Sequence, residues 1–353
     1  MKGIVTMKQR PFISVLLTAY KRQEFIVYAL ESIANQQLPK DKFEVIVVKD
    51  FSDEKLDDRI KELGYKSFIY GGTVGEQLEF GIQRANGSII SFLQDDDLFE
   101  CEKLDAVLKA FSNNPNLVLM KNDFSIINTI GVTSNLSSAL GRKKPILITE
   151  YEKRKTREIS QMIKKGADFN LSCISIRKDV IMNYAYQLRM IETGDDSFMF
   201  FTALFSPGDI LIDPNRLNQY RVHNNSTILK SGSLEEMLHK NGLQFYKQIQ
   251  TFKILESISK EANVSEAIRK AISEAITVRK ATFRIVAIGE NTAYSTLVDV
   301  IELLFHHNSV AIRFLIKLVL ANLFVTLNRP LGWQIYKLYT TKSYNNILNY
   351  KKG

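Results

Sequence analysis

The sequence is poor in cysteine, since Cys101 and Cys173 are the only two in its 353 residues. Two thiols cannot build the disulfide framework of a small secreted domain, which favours a reducing compartment. A content of 7 Pro and 17 Gly excludes collagen-like and Pro-rich low-complexity chains. No apolar run precedes the first candidate strand, so we expect no secretory signal peptide. The composition, 45% hydrophobic and 24% charged, is that of an ordinary globular protein.

Acidic residues are absent from residues 303–353, a stretch that holds seven Lys and Arg residues. The whole chain has 47 Lys plus Arg and 38 Asp plus Glu, so this tail supplies most of the net charge of +9. An apolar, basic and acid-free tail is typical of a protein that binds an anionic membrane surface. We therefore expect the cytoplasmic face of a membrane as a partner, and no nucleic acid.

The first hundred residues alternate apolar runs with amphipathic stretches, which is typical of βαβ units and a predominantly parallel central sheet. The spacing predicts strands over 12–17, 43–48, 67–70 and 88–93, and helices over 24–37, 53–63 and 75–85. Farther along it predicts a helix over 102–111, strands over 117–120 and 168–176, and helices from 233 onward. The predicted fold class is therefore α/β, with an α-helical C-terminal region.

A basic segment, 142–165, contains nine basic and three acidic residues with little periodicity. This pattern favours a solvated loop or an exposed helix. It equally suits a segment that gates an acceptor or binds its phosphate. The sequence alone leaves these alternatives open.

Residues 310–327 form the most apolar predicted helix, with a length close to the about 17–25 residues of a membrane span. Charged residues inside it make a spanning helix the less favoured interpretation. Its polar and small residues fall on one stripe, which favours a helix in the membrane surface, with packing in the core or in a homodimer as the alternative. The stripe comprises Arg313, Lys317, Ala321 and Asn328. The aromatic residues that follow, Trp333, Tyr336 and Tyr339, suit a membrane interface or an ordinary core.

Three consecutive carboxylates, Asp95, Asp96 and Asp97, follow the apolar run 88–93. Ligands of open α/β sheets bind beyond the carboxyl ends of the strands, so chemistry is expected at this turn. Adjacent carboxylates repel one another unless a cation neutralises them, and oxygen ligands favour Mg²⁺ or Mn²⁺. The alternative is a helix start that Asp96 or Asp97 caps. Asp50 also ends a strand, where it suits either the amide groups of a nucleotide base or a helix cap.

The N-terminal hundred residues resemble glycosyltransferase family 2, the inverting transferases of the GT-A fold. The resemblance is carried by four segments: ISVLLTAYKR, ALESIANQQ, FEVIVVKDFSDE and GIQRANGSIISFLQDDD. It implies a GT-A, Rossmann-like domain over 1–230 that binds a nucleotide sugar, and an α-helical region over 231–353. It also implies that the triple Asp is the family's DXD motif, which holds Mn²⁺ or Mg²⁺ and the ribose and diphosphate of the donor.

Two later segments extend the resemblance to about residue 230. Residues 192–198 (ETGDDSF) resemble the family's acidic ED element at a helix start, in which Asp196 would be the general base and Asp195 replaces the usual Glu. A pair of helix-initiating acids is the alternative. Residues 219–226 (QYRVHNNS) resemble the segment YRxHxxS, from which Arg and His side chains reach the diphosphate or the metal.

Residue by residue, the resemblance implies a donor site, a metal site and a catalytic pair. The implied contacts to the nucleoside diphosphate sugar, a UDP-sugar or GDP-sugar, are Thr18, Ala19, Tyr20, Asp50, Asp95, Asp96 and Arg221. The implied metal ligands are Asp97, Asp95 and His223. The implied catalytic residues are Asp196 and Asp195.

Some residues depart from the family's pattern. Lys49 adds a cation beside the nucleotide pocket, which leaves the preferred base open. Gln94 and Glu79 stand where many members carry Asp and Asn. No QxxRW segment occurs, which argues against a processive polysaccharide synthase.

The implied reaction is a single displacement by an acceptor hydroxyl, with a lipid-linked saccharide, a polyprenyl phosphate or a surface glycan as acceptor. Two other function classes stay open. A nucleotidyltransferase would need a Gly-rich and basic phosphate loop, which the TAYKR turn lacks. A membrane-associated protein that binds nucleotide sugars without turning them over would have no need of the acids at 195–196.

Overall fold

The structure is a computed structural model, which describes residues 13–20, 23–133, 144–155, 159, 162–163, 166–223, 234–262, 264–286, 312–327, 331 and 334. The strands are β1 (Ile13–Ala19), β2 (Phe43–Lys49), β3 (Lys66–Ile69), β4 (Ile89–Gln94), β5 (Leu98–Phe99), β6 (Leu117–Ile127), β7 (Ile146–Ile148), β8 (Ile174–Arg177) and β9 (Asp209–Arg221). The helices are α1 (Ile26–Ala34), α2 (Glu54–Glu62), α3 (Val74–Arg84), α4 (Lys103–Asn113), α5 (Lys178–Met182), α6 (Ala185–Arg189), α7 (Asp195–Phe205), α8 (Leu234–Glu261), α9 (Glu266–Val286) and α10 (Ile312–Leu327).

The strands of the described residues form one mixed, mostly parallel sheet. Its parallel half has the order β3-β2-β1-β4. Strand β8 then pairs antiparallel with both β4 and β6, and β6 runs parallel to β9. The short strands β5 and β7 pair antiparallel with β9. The predicted α/β class with a predominantly parallel central sheet is confirmed.

Helices cover the parallel half of the sheet on both faces, which explains why its first strand is buried throughout. Alternate residues Ile13, Val15 and Leu17 join one core with α1, α2 and α4. Leu16 points the other way and joins a larger core with α3 and α7. Because side chains alternate along a strand, a strand between two helical layers has no polar face.

Helices α8 and α9 also belong to the larger core. Phe252 of α8 is buried against Phe201 of α7, with ring centroids 5.6 Å apart. Ile272 of α9 is fully buried in the same cluster. A boundary after residue 230 stays a prediction, but these two helices pack as an integral layer of the α/β body.

Helix α10 docks on α9 through Asn322, whose Nδ2 donates to the carbonyl of Ala281 at 3.1 Å. Ala321, a member of the predicted polar stripe, is fully buried, so that stripe is not the solvent face. The exposed residues of this helix include Ile316, Lys317, Leu320 and Leu323. None of the helices in the described ranges is both long and apolar enough to cross a bilayer. The predicted positions Asn328, Trp333, Tyr336 and Tyr339 lie outside the described residues.

The predicted strand over 168–176 begins only at Ile174. Asn170 has a φ of 69°, in the left-handed region, so the backbone turns before the strand starts. The Oδ1 atom of Asn170 accepts the N–H of Ser172 at 2.9 Å and stabilises this turn. Periodicity could not reveal the turn, because the segment is apolar on both sides of it.

The basic segment 142–165 differs from the predicted solvated loop where the structure describes it. Ile148 and Ile159 are fully buried in the larger core. The Nζ atom of Lys153 is buried and donates to the carbonyl of Ser206 at 2.6 Å. The charges of this segment therefore flank apolar anchors that hold it on the body of the protein.

Candidate active site

The carboxyl ends of β1, β2 and β4 meet at one edge of the sheet. In the register, Thr18 pairs with both Val48 and Gln94. Thr18 and Ala19 are buried, and the side chain of Tyr20 is 45% exposed at the rim. The strand ends therefore bring the β1 turn, Asp50 and the acidic turn after β4 together, as the sequence predicts. Lys21 and Arg22 lie outside the described residues.

The acidic turn buries two of its three carboxylates. Asp95 and Asp97 are 3% and 0% exposed, whereas Asp96 is half-buried. The interpretation as a helix cap is wrong, because α4 begins only at Lys103 and its N-cap residue is Glu102. The Oδ1 atom of Asp97 accepts the backbone N–H of Arg221 at 3.0 Å, and its buried Oδ2 has no hydrogen-bond partner among the residues that the structure describes. Burial and the neighbouring charge of Asp96 raise the pKa of Asp97.

Arg221 and His223 at the end of β9 close over this turn. The guanidinium of Arg221 donates to the carbonyls of Asp96, Asn128 and Thr129 at 2.9–3.1 Å. The Nε2 atom of His223 lies 3.1 Å from Oδ2 of Asp96. The structure therefore brings both predicted residues to the acidic turn, with Arg221 bound to backbone oxygens. Residues 224–226 of the predicted segment lie outside the described part.

These residues suit a divalent cation, although not as a closed protein cage. The described residues contain no group of three His, Cys, Asp or Glu side chains arranged to hold a metal, so the trio Asp95, Asp97 and His223 has no geometric support. Asp96 is the least buried carboxylate of the turn and already lies beside His223. Mg²⁺ is usually bound through one or two carboxylates plus the phosphates of a substrate, and this donor set fits that chemistry.

The second acidic pair opens α7. Gly194 precedes it with a φ of 76°, a conformation that favours glycine. The Oδ1 atom of Asp196 accepts the N–H of Ser197 at 2.8 Å, and its Oδ2 accepts the N–H of Asn170 at 2.9 Å. The Oδ2 atom of Asp195 is buried without a hydrogen-bond partner among the described residues. Both acids do begin the helix, and Asp196 also binds the backbone of Asn170 outside it.

The electrostatics of this pair suit a base that works near neutral pH. Burial, followed by the charges of Asp195 and Asp168, raises the pKa of Asp196 to about 7, although the two backbone N–H donors oppose the change. Burial also raises the pKa of Asp195. A general base is most effective when its pKa lies near the working pH, so either carboxylate is able to accept a proton from a hydroxyl group.

One short segment, Asn170–Ser172, contacts both acidic groups. The backbone N–H of Asn170 holds Asp196, and the side chains of Asn170 and Ser172 lie next to Asp97, where they lower its pKa. The Oγ atom of Ser172 also accepts the N–H of Gln94 at 3.1 Å. No sequence motif marks this segment, since its distinguishing feature, an Asn with positive φ, exists only in the folded chain.

The environment of Asp50 differs from two predictions. The helix-cap interpretation is wrong, because α2 is capped by Asp53, whose side chain accepts the N–H of Leu56 at 3.1 Å. The expected cation beside the pocket is also wrong: Lys49 is fully buried, and its Nζ lies 3.0 Å from Asp57. Asp50 therefore stands at the sheet edge with the charge of Lys49 already paired elsewhere.

The comparisons agree with this geometry. Residues 14–184, just under half of the chain, match the family model described as Glycosyl transferase family 2. A putative glycosyltransferase, EpsH of Bacillus subtilis, is 24% identical over 253 residues, which are 68% of each chain. The poly(ribitol-phosphate) beta-N-acetylglucosaminyltransferase TarS of Staphylococcus aureus is 28% identical over 31% of this chain and 20% of its own length.

A solved structure shows the same fold over nearly the whole chain. The crystal structure of S. aureus TarS 1-349 in complex with UDP-GlcNAc covers 94% of this chain and 92% of its own, with a TM-score of 0.54 and 14% identity. Together with the parallel half-sheet and its helical layers, this likeness confirms the GT-A fold. On these matches the chain is a glycosyltransferase, and its residues 14–184 belong to glycosyl transferase family 2.

Proposed function

We propose that the chain transfers a sugar, with inversion at the anomeric carbon, from a nucleoside diphosphate sugar to an acceptor hydroxyl. The observation that carries this proposal is the segment Asn170–Ser172, which lies against Asp97 on one side and binds Asp196 on the other. This one segment links the two acidic groups, and in our proposal one bound sugar lies between them. Because the similar TarS structure holds UDP-GlcNAc, a UDP-sugar is the donor class we favour, with a GDP-sugar as the second.

The donor lies along the edge where β1, β2 and β4 end. Thr18, Ala19 and Tyr20 form one wall of the nucleotide site, and Asp50 is placed to accept hydrogen bonds from the base. Asp95 supports the acidic turn from within, because it is almost fully buried.

We assign Asp96 and His223 as the protein ligands of a Mn²⁺ or Mg²⁺ ion. Of the three predicted ligands only His223 is retained, because its Nε2 lies 3.1 Å from Oδ2 of Asp96, whereas the described residues do not bring Asp95, Asp97 and His223 together as a metal-binding group. When bound, the ion would offset the negative charge that develops on the leaving diphosphate. Arg221 keeps the acidic turn in place through its hydrogen bonds to Asp96, Asn128 and Thr129.

Asp196 accepts the proton of the acceptor hydroxyl while the hydroxyl oxygen attacks the anomeric carbon. The new bond joins this oxygen to the anomeric carbon, and the bond from that carbon to the diphosphate oxygen breaks with its electron pair. Attack from the face opposite the diphosphate inverts the configuration. We assign the binding of the acceptor to the neighbouring Asp195, whose buried Oδ2 has no hydrogen-bond partner among the described residues.

The acceptor we favour is a lipid-linked saccharide, a polyprenyl phosphate or a surface glycan at the cytoplasmic face of a membrane. Ile316, Leu320 and Leu323 of α10 are exposed on one side of the helix, next to Lys317. An apolar stripe that lies within the basic stretch 303–353 suits the surface of an anionic bilayer. Sedimentation with anionic and neutral vesicles tests this, and a homodimer that covers the stripe is the outcome that contradicts it.

Donor binding, measured by thermal shift, tests the proposed function. Wild-type protein with Mn²⁺ or Mg²⁺ is expected to be stabilised by one class among UDP-sugars, GDP-sugars and CMP-sugars. Asp96→Asn should lose the metal-dependent shift, whereas Asp196→Asn should keep it and lose turnover. Asp58→Asn, an exposed carboxylate on α2, is the control. A folded wild-type protein that responds to no nucleotide contradicts the proposal.

A further inference from the structure

The loop before the acidic pair of α7 is held by the C-terminal helix α8. The Oγ1 atom of Thr251 donates to the carbonyl of Thr193 at 2.6 Å, and Nε2 of Gln244 donates to Oγ1 of Thr193 at 2.6 Å. Lys247 forms an ion pair with Glu192 at 2.8 Å. Three side chains of one helix therefore fix the backbone that leads into Asp195.

Arg279 of the next helix, α9, contacts the same turns of α8 that hold this loop. Its guanidinium lies over the ring of Phe252, 4.0 Å from the centroid. Its Nε donates to Oε1 of Gln248 at 3.0 Å, and its Nη1 donates to the carbonyl of Ala275 at 3.3 Å. These acceptors are neutral, so its positive charge remains available to more distant carboxylates.

The carboxylates that interact electrostatically with this charge are Asp168 and Asp196. Both raise the pKa of Arg279 against the effect of burial, and Arg279 in turn lowers the pKa of Asp168. Asp168 is bound to the helix start, since Oγ of Ser197 donates to its Oδ2 at 3.1 Å. Asp195 and Asp168 bring negative charge to Asp196, while Lys121 of β6 acts on Asp168 from the sheet side.

We propose that Arg279 is a positioning residue of the transferase site, whose charge, delivered from α9, keeps Asp196 ionised beside two other carboxylates. This inference rests on the proposed role of Asp196 as the general base. It makes α8 and α9 part of the active site: α8 orients the acidic loop and α9 supplies the cation. Arginine suits this place because its guanidinium stays charged when it is buried and stacks on an aromatic ring.

Removal of the charge should change catalysis without changing donor binding. In Arg279→Gln, the repulsion from Asp195 and Asp168 is unopposed, so Asp196 takes up a proton at higher pH. We expect the acid limb of the rate profile to move up by about one pH unit, which is about a tenfold loss of rate on the acid side. The KM for the donor should stay unchanged, since none of the contacts of Arg279 within the described part of the chain reaches the acidic turn.

Rate profiles of three variants test the inference. Arg279→Lys keeps the charge and should restore most of the wild-type profile. Arg269→Gln removes a cation from the same helix whose Nε binds the carbonyl of Ser259, and it should leave the profile unchanged. A wild-type profile in Arg279→Gln overturns the proposal, and so do equal losses in the Gln and Lys variants.

A double-mutant cycle in unfolding free energy tests the same coupling without substrate. At alkaline pH, Arg279→Gln should cost less stability in the Asp196→Asn background than in the wild type, because the carboxylate that the charge of Arg279 stabilises is absent there. Arg279→Met, which keeps the side chain over Phe252, replaces the Gln variant if that variant does not fold. Additive effects overturn the inference. If no donor is turned over by the wild type, the proposed function fails, and this cycle still decides whether the charges are coupled.

Discussion

The two acidic groups of the site lie on either side of the segment Asn170–Ser172, yet the protein holds them in different ways. Asp96 has a direct partner in His223, and its carbonyl is bound by the guanidinium of Arg221. Asp196 has only backbone N–H donors in contact, with Arg279 acting from farther away. A carboxylate that lies beside an imidazole and a guanidinium is suited to bind ligands. One that is held by neutral donors keeps an affinity for protons and is suited to act as a base.

Of all the variants, Asp196→Asn is expected to have the largest effect, and to affect only one of the two acidic groups. The amide cannot accept the proton of the acceptor hydroxyl, so we expect kcat to fall by about 10²–10⁴. Donor binding should persist, because the change leaves the acidic turn after β4 intact. Turnover of the donor and the thermal shift with donor and metal are measured on the same preparation.

Asp96→Asn is the matched change in the acidic turn after β4, where the donor is proposed to bind. It should weaken donor and metal binding together, which appears first in KM and in the thermal shift. If instead Asp96→Asn keeps full donor binding and Asp196→Asn loses it, the assignment of the two acidic groups is reversed.

Arg221→Ala tests how much Arg221, which binds the acidic turn after β4, contributes to the stability of the protein. The change removes three hydrogen bonds from a guanidinium to the carbonyls of Asp96, Asn128 and Thr129, of which Asn128 keeps the N–H of Gly131. We expect a loss of about 3 kcal/mol in the free energy of unfolding, since hydrogen bonds to a charged group each contribute about 1.5–3 kcal/mol and water replaces part of them. Chemical denaturation measures it. Arg216→Ala, an exposed position on the same strand, should change stability little, and an equal loss there would contradict the argument.

The two acidic groups also differ in how far the sequence could predict them. The acidic turn that binds the donor follows one apolar strand, β4. Its position in the fold and its neighbours on β1 and β2 could therefore be predicted from the alternation of strands and helices. The burial of each carboxylate in the turn could not be predicted, because only packing decides that Asp97 is buried and Asp96 is half-buried. The base side could be predicted only in part: Asp195 and Asp196 follow from local resemblance. Arg279 lies more than 80 residues away in an ordinary amphipathic helix that carries no motif.

The raised pKa of Asp196 predicts a pH-dependent effect of Asp196→Asn on stability. Because the folded pKa is about 7 against an ordinary value of 3.8, the native wild type holds a proton that the unfolded chain releases. Wild-type stability therefore falls as the pH rises from about 4 to about 7 and stays lower above it. The Asn variant lacks this loss, so at pH 8 it should be the more stable by about 1 kcal/mol, a figure reduced for partial exposure.

Thermal unfolding at acid and alkaline pH measures this difference, which should vanish below about pH 4. Asp58→Asn is the matched control on the surface and should show no such dependence. A difference that is the same at both pH values would mean that burial does not hold the proton on Asp196.

The smallest expected effect separates the position of the base from general stability. Gly194 and Gly64 have almost the same φ, 76° and 75°, and an added Cβ meets no atom closer than 3.6 Å at the first and none within 4 Å at the second. Alanine at either position should therefore cost about 1 kcal/mol of stability through backbone strain alone. Only Gly194→Ala should lower kcat, because Gly194 sets the direction in which α7 presents Asp195 and Asp196. If the two variants lose equal stability and have equal kcat, the acidic pair tolerates a shift of its helix start. The orientation of Asp195 and Asp196 would then not limit catalysis.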